Sequence, residues 1–291
     1  MCSQTSNRRP LGPFSVAPLG YGAMRLTGRN VFGMPKNRGE AVALLREADE
    51  RGVDHIDTAQ YYGPDVVNEL ICEALYPYPP DLVLVSKVGA ARDARGGIFA
   101  ADSPTELRRG IEDNLRTLRV ETLPVVNLRL MRNTGPDGYF DDQLAAMTLA
   151  RDEGLITSIG LSNVTMEHLL HALRSTDIAC VQNAFHLLNR SSQPVLDECA
   201  RRGIAFVPFA PLGSGGTGTG SVLAVPGLVR VAVRLGCTPA QLALAWTLDA
   251  GPNVLLIPGS ASREHLRENL AVADLYLDAE TIGELAGVRP E

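Results

Sequence analysis

Strand-length apolar runs alternate with longer amphipathic stretches along almost the whole chain, and no other feature restricts the fold as much. The runs lie at 19–22, 53–57, 82–87, 122–130, 156–160, 178–182, 204–208 and 253–257. Between them apolar residues recur every three or four positions, as at Ala41, Leu44, Leu45 and Ala48 in the stretch 38–51. That is the period of a helix burying one face. Further helices are expected at 64–75, 103–118 and 141–153, from Thr165, from Gln193, at 222–235 and 239–248, from Ser262, and at 279–286. Ser103-Pro104 with Glu106 three residues after the serine is a capping-box start, with proline at the first helical position. An unbroken strand–helix alternation predicts a parallel sheet with right-handed crossovers. Eight repeats within 291 residues predict that the sheet closes on itself, because a (β/α)8 barrel uses about 250 residues. The expected fold class is therefore α/β, a (β/α)8 TIM barrel: a single domain spanning residues 1–291, with an additional C-terminal helix. No G-x-G-x-x-G follows the first strand, so an open dinucleotide-binding sheet lacks its fingerprint.

Composition removes several function classes. No run approaches the roughly 20 apolar residues of a membrane span, and the charged N-terminal segment has no apolar stretch behind it to make a secretory signal. The five cysteines (Cys2, Cys72, Cys180, Cys199, Cys237) are scattered without C-x-x-C spacing, so neither a zinc site nor a disulfide framework is read. A cytoplasmic protein with reduced thiols is expected. The net charge of −6 with no long basic run argues against nucleic acid or an anionic membrane as partner. His168 and His171 lie three apart on a helix without a carboxylate or cysteine set, so no metal is expected and both are placed on the outer face. No G-x-S-x-G precedes a helix, which leaves acyl-transfer hydrolysis unsupported. Trp246 reads as helix core packing.

In barrels of this kind the chemistry sits at the C-terminal ends of the strands. The residues to question there are Asp57, Lys87, Arg129, Ser162-Asn163, Gln182, Phe209 and Ser260. Only two of the 27 basic residues are lysine, Lys36 and Lys87, and Lys87 closes an apolar strand. Two readings are open for Asp57, Tyr62 and Lys87. In one, an Asp–Lys pair in the barrel mouth is structural and Tyr62 is an ordinary surface residue. In the other, the lysine lowers the phenol's pKa from about 10, Asp57 keeps the lysine charged, and Tyr62 serves as a general acid.

Asp57-Thr58-Ala59-Gln60-Tyr61-Tyr62-Gly63 resembles the aldo-keto reductase motif D-T-A-x-x-Y-G. Gly20-Tyr21-Gly22-Ala23-Met24-Arg25 is similar to that family's first strand and turn. Ser86-Lys87-Val88-Gly89, Gly160-Leu161-Ser162-Asn163, Val181-Gln182-Asn183 and Pro208-Phe209-Ala210-Pro211-Leu212-Gly213 resemble further family segments. So does Ile257-Pro258-Gly259-Ser260 with His265-Leu266-Arg267-Glu268-Asn269. The motifs run in family order from about residue 19 to 270. The resemblance implies hydride transfer between NADP(H) and a small-molecule carbonyl, with Tyr62 as proton donor tuned by Asp57 and Lys87. It implies cofactor contacts from Ala23, Met24, Asp57, Ser162, Asn163, Gln182, Phe209, Pro211, Leu212, Ser214, Gly259, Ser260, His265, Glu268 and Asn269. Ser162, Asn163 and Gln182 would grip the nicotinamide carboxamide, both as donors and as acceptors. Read without the family, Ser162-Asn163 is a turn or helix cap, Phe209 is core, and the glycine-rich 213–220 segment is either a pyrophosphate wrap or a mobile loop. Ser260 and the following helix start suit an anion. The family often carries Lys where Gly259 stands and Arg where His265 stands, so two of its phosphate-binding cations are absent, and His265 either contacts the cofactor or faces solvent.

One departure touches the chemistry. The family usually places a histidine at the end of the fourth strand, where aligning Pro124–Arg129 puts Arg129. An arginine there can stabilise an alkoxide but cannot relay a proton; the other reading is that it points away. Two function classes follow: an active carbonyl reductase for a small to medium apolar aldehyde or ketone, or a non-catalytic NADP(H)-binding sensor barrel acting through a protein partner. By loop position, Met24, Tyr61, Met131 and Phe185 are either pocket lining or core. Oligomeric state is not legible.

Overall fold

The computed structural model describes residues 8–132, 134–213 and 221–288. The chain opens with an antiparallel hairpin, β1 (Arg9–Leu11) and β2 (Phe14–Val16), joined by Gly12-Pro13 with Gly12 at φ +58°. Six of the expected barrel strands follow the predicted order closely: β3 (Tyr21–Gly22), β4 (His55–Asp57), β5 (Val83–Arg92), β7 (Leu123–Arg129), β8 (Ile156–Ser162) and β9 (Cys180–Gln182). The seventh is β10 (Ala205–Phe206). These strands pair in parallel in the order β3-β4-β5-β7-β8-β9-β10.

The eighth run, 253–257, is not a continuous ladder. It closes the ring through two bridges, Val254 with Phe206 and Leu256 with Leu19. The Leu255 N–H donates to the Phe206 carbonyl at 2.9 Å, and the Gly20 N–H donates to the Leu256 carbonyl at 2.8 Å. With no free edge between β10 and β3, the sheet is a barrel.

The outer helices are α1 (Arg38–Glu50), α2 (Val66–Leu75), α3 (Pro104–Leu118), α4 (Gly138–Asp152), α5 (Met166–Ala172), α6 (Gln193–Arg202), α7 (Pro226–Leu235), α8 (Pro239–Leu248), α9 (Arg263–Leu270) and the C-terminal α10 (Ala279–Ala286). The Ser103/Glu106 capping box forms as expected, and Thr165 and Ser262 are the N-caps of α5 and α9. The second helix starts two residues later than its periodicity suggests, because Gly63 and Asp65 both hold positive φ. Among the described residues no single helix is long and apolar enough to cross a membrane.

Two features lie outside the sequence expectation. The β1–β2 hairpin caps the N-terminal end of the barrel. Leu11 and Val16 pack on the inward side chains Val83, Val85, Val125, Cys180, Ala205, Val207 and Leu255, and Arg9 donates to the carbonyls of Gly251 at 3.2 Å and of Val254. Three-residue strands carry no detectable period, although a glycine at the first position of a two-residue turn was an available signal. The other feature is that β5 continues past Lys87 and folds back as β6 (Ile98–Ala101), forming an antiparallel hairpin above the mouth. Asp93 makes its turn, its Oδ1 accepting from the N–H groups of Arg95 and Gly97 at 2.8 Å each.

His168 is a correction. It is buried, not outward. It fills the glutamate position of the Thr165 capping box and packs edge-on to Phe140 with centroids 5.0 Å apart. Of the two readings of Phe185 the core one holds: it is fully buried, stacked on Trp246 at 5.8 Å, and belongs to the shell between barrel and helices. Trp246 packs in the helical layer as expected.

Candidate active site

Alternation along a strand sends every second side chain into the barrel. The inward set on β5 is Val83, Val85 and Lys87, and on β7 it is Val125, Asn127 and Arg129. On β8 and β9 it ends in Ser162 and Gln182, which are paired in register, and Arg129 is in register with Ser162. The same parity on β4 selects Asp57, and beyond β10 it selects Phe209. The strand ends thus bring together six of the eight side chains singled out there from the sequence. A glycine makes room below them: a Cβ at Gly160 would lie 2.1 Å from the Asn127 Oδ1.

Asp57 and Lys87 form a buried ion pair, their side chains 5% and 3% exposed. At that depth solvent screens little, so the pair constrains geometry strongly. Lys87 also donates to the Thr58 carbonyl at 3.0 Å. The second Asp57 oxygen accepts from Gln182 Nε2 at 2.8 Å. Gln182, read as a carboxamide ligand, therefore has its donor on Asp57 and its carbonyl oxygen left over. The Lys87 ammonium sits 5.1 Å from the centre of the Tyr62 ring. Tyr61 meets Tyr62 edge-on at 5.3 Å.

The electrostatics differ from the expected tuning. Burial pushes the Tyr62 phenol well above its usual range, Asp57 adds to the rise, and Arg129 and Arg92 oppose it. Lys87 is not among the groups that oppose the rise at Tyr62, although it opposes the rise at the neighbouring Tyr61. Two cations act on Tyr62, Arg92 and Arg129. Arg129 points into the mouth, with its guanidinium carbon 5.8 Å over the Phe209 ring. Its Nε is buried without a hydrogen-bond partner. The Tyr61 phenol is likewise raised by burial.

Around the rest of the mouth, Ser162 Oγ is buried and unpartnered. Asn163 is exposed at φ +61°, a left-handed turn that Asn tolerates, and its Nδ2 donates to the Leu130 carbonyl at 2.8 Å. Phe209, Pro211 and Leu212 are half-buried, with Ala210 between them at φ +52°. Ala23 is buried and Met24 exposed. The Ser260 carbonyl accepts from the Tyr21 hydroxyl at 2.6 Å, and its Oγ accepts from the Ser262 N–H at 2.9 Å. His265 is exposed, Glu268 half-buried and Asn269 buried on α9. Ser214 and the glycine-rich 214–220 segment lie outside the described residues. Gly259 has a structural reason: a Cβ there would lie 2.5 Å from the Gly22 carbonyl oxygen, so this backbone has no room for a lysine. The nearby cations Arg263 and Arg267 both bind Glu47 of α1.

Sequence reading missed a supporting network. Thr58 Oγ1 donates to Asn68 Oδ1 at 2.8 Å, Asn68 Nδ2 to Asn114 Oδ1 at 2.8 Å, and Ser86 Oγ to the same Asn114 oxygen at 2.6 Å. Thr58 and Ser86 neighbour Asp57 and Lys87 and face outward by strand parity, so each needs a polar partner on α2 or α3. Buried asparagines on those helices were the available signal. Arg92 was missed as well; its Nε holds the Tyr61 carbonyl at 3.1 Å.

The family model described as "Aldo/keto reductase family" matches residues 18–289. The chain is 45% identical to the pyridoxine 4-dehydrogenase of Escherichia coli K12, over 99% of this chain and 100% of that one. Among solved structures it resembles the thermostable aldo-keto reductase Tm1743, crystallised with the inhibitor epalrestat, at 28% identity and TM-score 0.80, covering 96% and 98% of the two chains. It also resembles an aldo/keto reductase of Klebsiella pneumoniae in complex with NADP and acetate, at 26% identity and TM-score 0.77, covering 95% and 94%.

Proposed function

The chain belongs to the aldo/keto reductase family, and from that premise we propose that it is an NADP-dependent oxidoreductase interconverting a carbonyl and its alcohol, with Tyr62 as the proton donor. One observation carries this reading: a buried Asp57–Lys87 pair held against the Tyr62 ring at the mouth of the barrel. The same intact arrangement favours an enzyme over a cofactor-binding sensor. We take residues 1–291 as one domain.

When bound, NADPH supplies the hydride. Tyr62 gives its proton to the carbonyl oxygen as negative charge grows there. Burial keeps the phenol protonated until that moment, and Arg129 stabilises both the developing alkoxide and the phenolate left behind. Asp57 and Lys87 hold Tyr62's surroundings rigid and dry. The residues present fit the nicotinamide: Ser162 Oγ is a buried hydroxyl in need of a partner, Asn163 and Gln182 flank it, and Phe209 offers a flat face. Ala23, Met24, Pro211 and Leu212 line the approach. Ser260, His265 and the backbone at Gly259 lie at the start of α9 and Glu268 and Asn269 in its last turn; these residues would hold the 2′-phosphate end of the cofactor, with helix N–H groups in place of a lysine.

The identity to the E. coli enzyme supports pyridoxine and pyridoxal as the substrate pair. The test is NADPH oxidation with pyridoxal, followed by its absorbance. Tyr62→Phe is expected to cut turnover by about 10²–10⁴-fold while leaving NADP binding in place. Full turnover in that variant removes Tyr62 as the acid.

A further inference from the structure

The charges in the mouth do not balance. Both oxygens of Asp57 are engaged, one by Lys87 and one by Gln182. Arg92 is held by backbone carbonyls, those of Tyr61 at 3.1 Å and Gly96 at 2.5 Å. The Arg129 side chain has no ion pair or hydrogen bond to any described residue, and its Nε is buried. A half-buried guanidinium without a counter-ion is costly to keep, and the planar fork of N–H groups is suited to two oxygens side by side. Its neighbours Phe209 and Tyr61 are flat and aromatic. A simple apolar aldehyde would occupy one N–H of that fork and leave the charge uncompensated.

We propose that Arg129 is the substrate-specificity residue of this site. It selects aryl aldehydes, and the matching alcohols, that carry an ionised hydroxyl on the ring carbon next to the one bearing the carbonyl. One arm of the fork meets the reacting oxygen beside Tyr62, and the other meets the ring oxygen, whose negative charge supplies the missing counter-ion. This rests on the hydride-transfer reading above and sharpens it. Pyridoxal belongs to the class because its ring hydroxyl adjoins its formyl group, and the class is broader than that one compound. It also replaces the apolar carbonyl expected from the sequence with an anionic one.

The experiment compares two isomers, 2-hydroxybenzaldehyde and 3-hydroxybenzaldehyde, as substrates of the full chain with NADPH. A charge-assisted, two-point contact is expected to favour the 2-hydroxy isomer by about 10- to 100-fold in kcat/KM. That preference is expected to fade as pH drops below the ionisation of the ring hydroxyl. In Arg129→Met the ratio of the two isomers falls to about one at every pH; in Arg129→Lys, which keeps the charge but loses the fork, it is intermediate. A purely structural arginine would depress both isomers together and leave the ratio and its pH dependence in place, and that result overturns the proposal. So does a wild-type ratio within about twofold, which needs no variant to fold. If both isomers turn over equally, the proposal fails while the oxidoreductase stands. If neither isomer nor pyridoxal turns over, the oxidoreductase reading fails, and calorimetric titration of the two isomers into NADP-loaded protein decides the remainder. A 2-hydroxy preference lost in Arg129→Met supports Arg129 as the reader; equal binding overturns it.

Discussion

Breaking the Asp57–Lys87 pair from one side leaves the other charge buried. In Lys87→Met the carboxylate keeps only the Gln182 amide at 2.8 Å; in Asp57→Asn the ammonium keeps the Thr58 carbonyl at 3.0 Å. Stranding one partner of a buried pair costs about 3–5 kcal/mol. Unfolding entropy of about 2.1 cal/mol/K per residue amounts to roughly 0.6 kcal/mol/K for 291 residues. Each single variant is therefore expected to melt about 5–8 °C below the wild type. The double variant removes both charges and is expected to recover part of the loss, with a coupling of about 1–3 kcal/mol. Because the two side chains are 3% and 5% exposed, the coupling should change little between low and moderate salt. Calorimetric melting of the four proteins at neutral pH measures the cycle. Single losses below about 1 kcal/mol that simply add are the signature of a solvent-screened pair, and they would refute the claim that this pair is a rigid, dry base for Tyr62.

Three other outcomes are expected. Hydrogen bonds from Arg267, Arg51 and Arg263 hold the Glu47 carboxyl far below the usual carboxylate range. Its contribution to stability is therefore complete above about pH 4.3, the unfolded value, and drains as pH falls below it. Thermal melts from pH 6 to 2 should fall more steeply for the wild type than for Glu47→Gln, and parallel curves would show that the clamp contributes nothing. Since burial raises the Tyr62 phenol, the acid form persists through neutral pH, and the reduction rate should show no loss from Tyr62 ionisation below about pH 10. An alkaline limb between pH 7 and 9, carried by wild type and absent in Tyr62→Phe, would restore the lowered phenol anticipated from the sequence. Gly259→Lys forces a Cβ to within 2.5 Å of the Gly22 oxygen. It is expected to cost about 1–3 kcal/mol with no gain in NADP affinity by fluorescence titration, and a tenfold gain at unchanged melting temperature would contradict the account of that glycine.

Local rules made much of this protein legible without coordinates. Helical period, the Ser103–Glu106 box and the helix starts at Thr165 and Ser262 depend on residues a few positions apart, and each formed as read. Strand parity also carried far: Lys87, Arg129, Ser162 and Gln182 share one face because the period of a strand is two. The barrel followed from counting repeats, although its eighth strand closes through only two bridges. What escaped was set by partners distant in the chain. His168 looked outward because the period of its helix offers no reason to bury it; Phe140, 28 residues earlier, does. The β1–β2 plug needs the barrel floor before its two short strands have anything to bury.

The Tyr62 phenol marks the same boundary at the site. The sequence by itself determined which groups stand at the strand ends, and left open whether Tyr62 and Arg129 turn into the mouth. Only the tertiary structure decided how their charges add. Asp57 pairs with Lys87 across 30 residues of chain, burial and Asp57 raise the phenol, Arg129 and Arg92 oppose the rise, and the Arg129 Nε is left without a partner. Desolvation and Coulomb energy depend on depth and on pairing in space, and neither quantity exists in a sequence until the chain has folded.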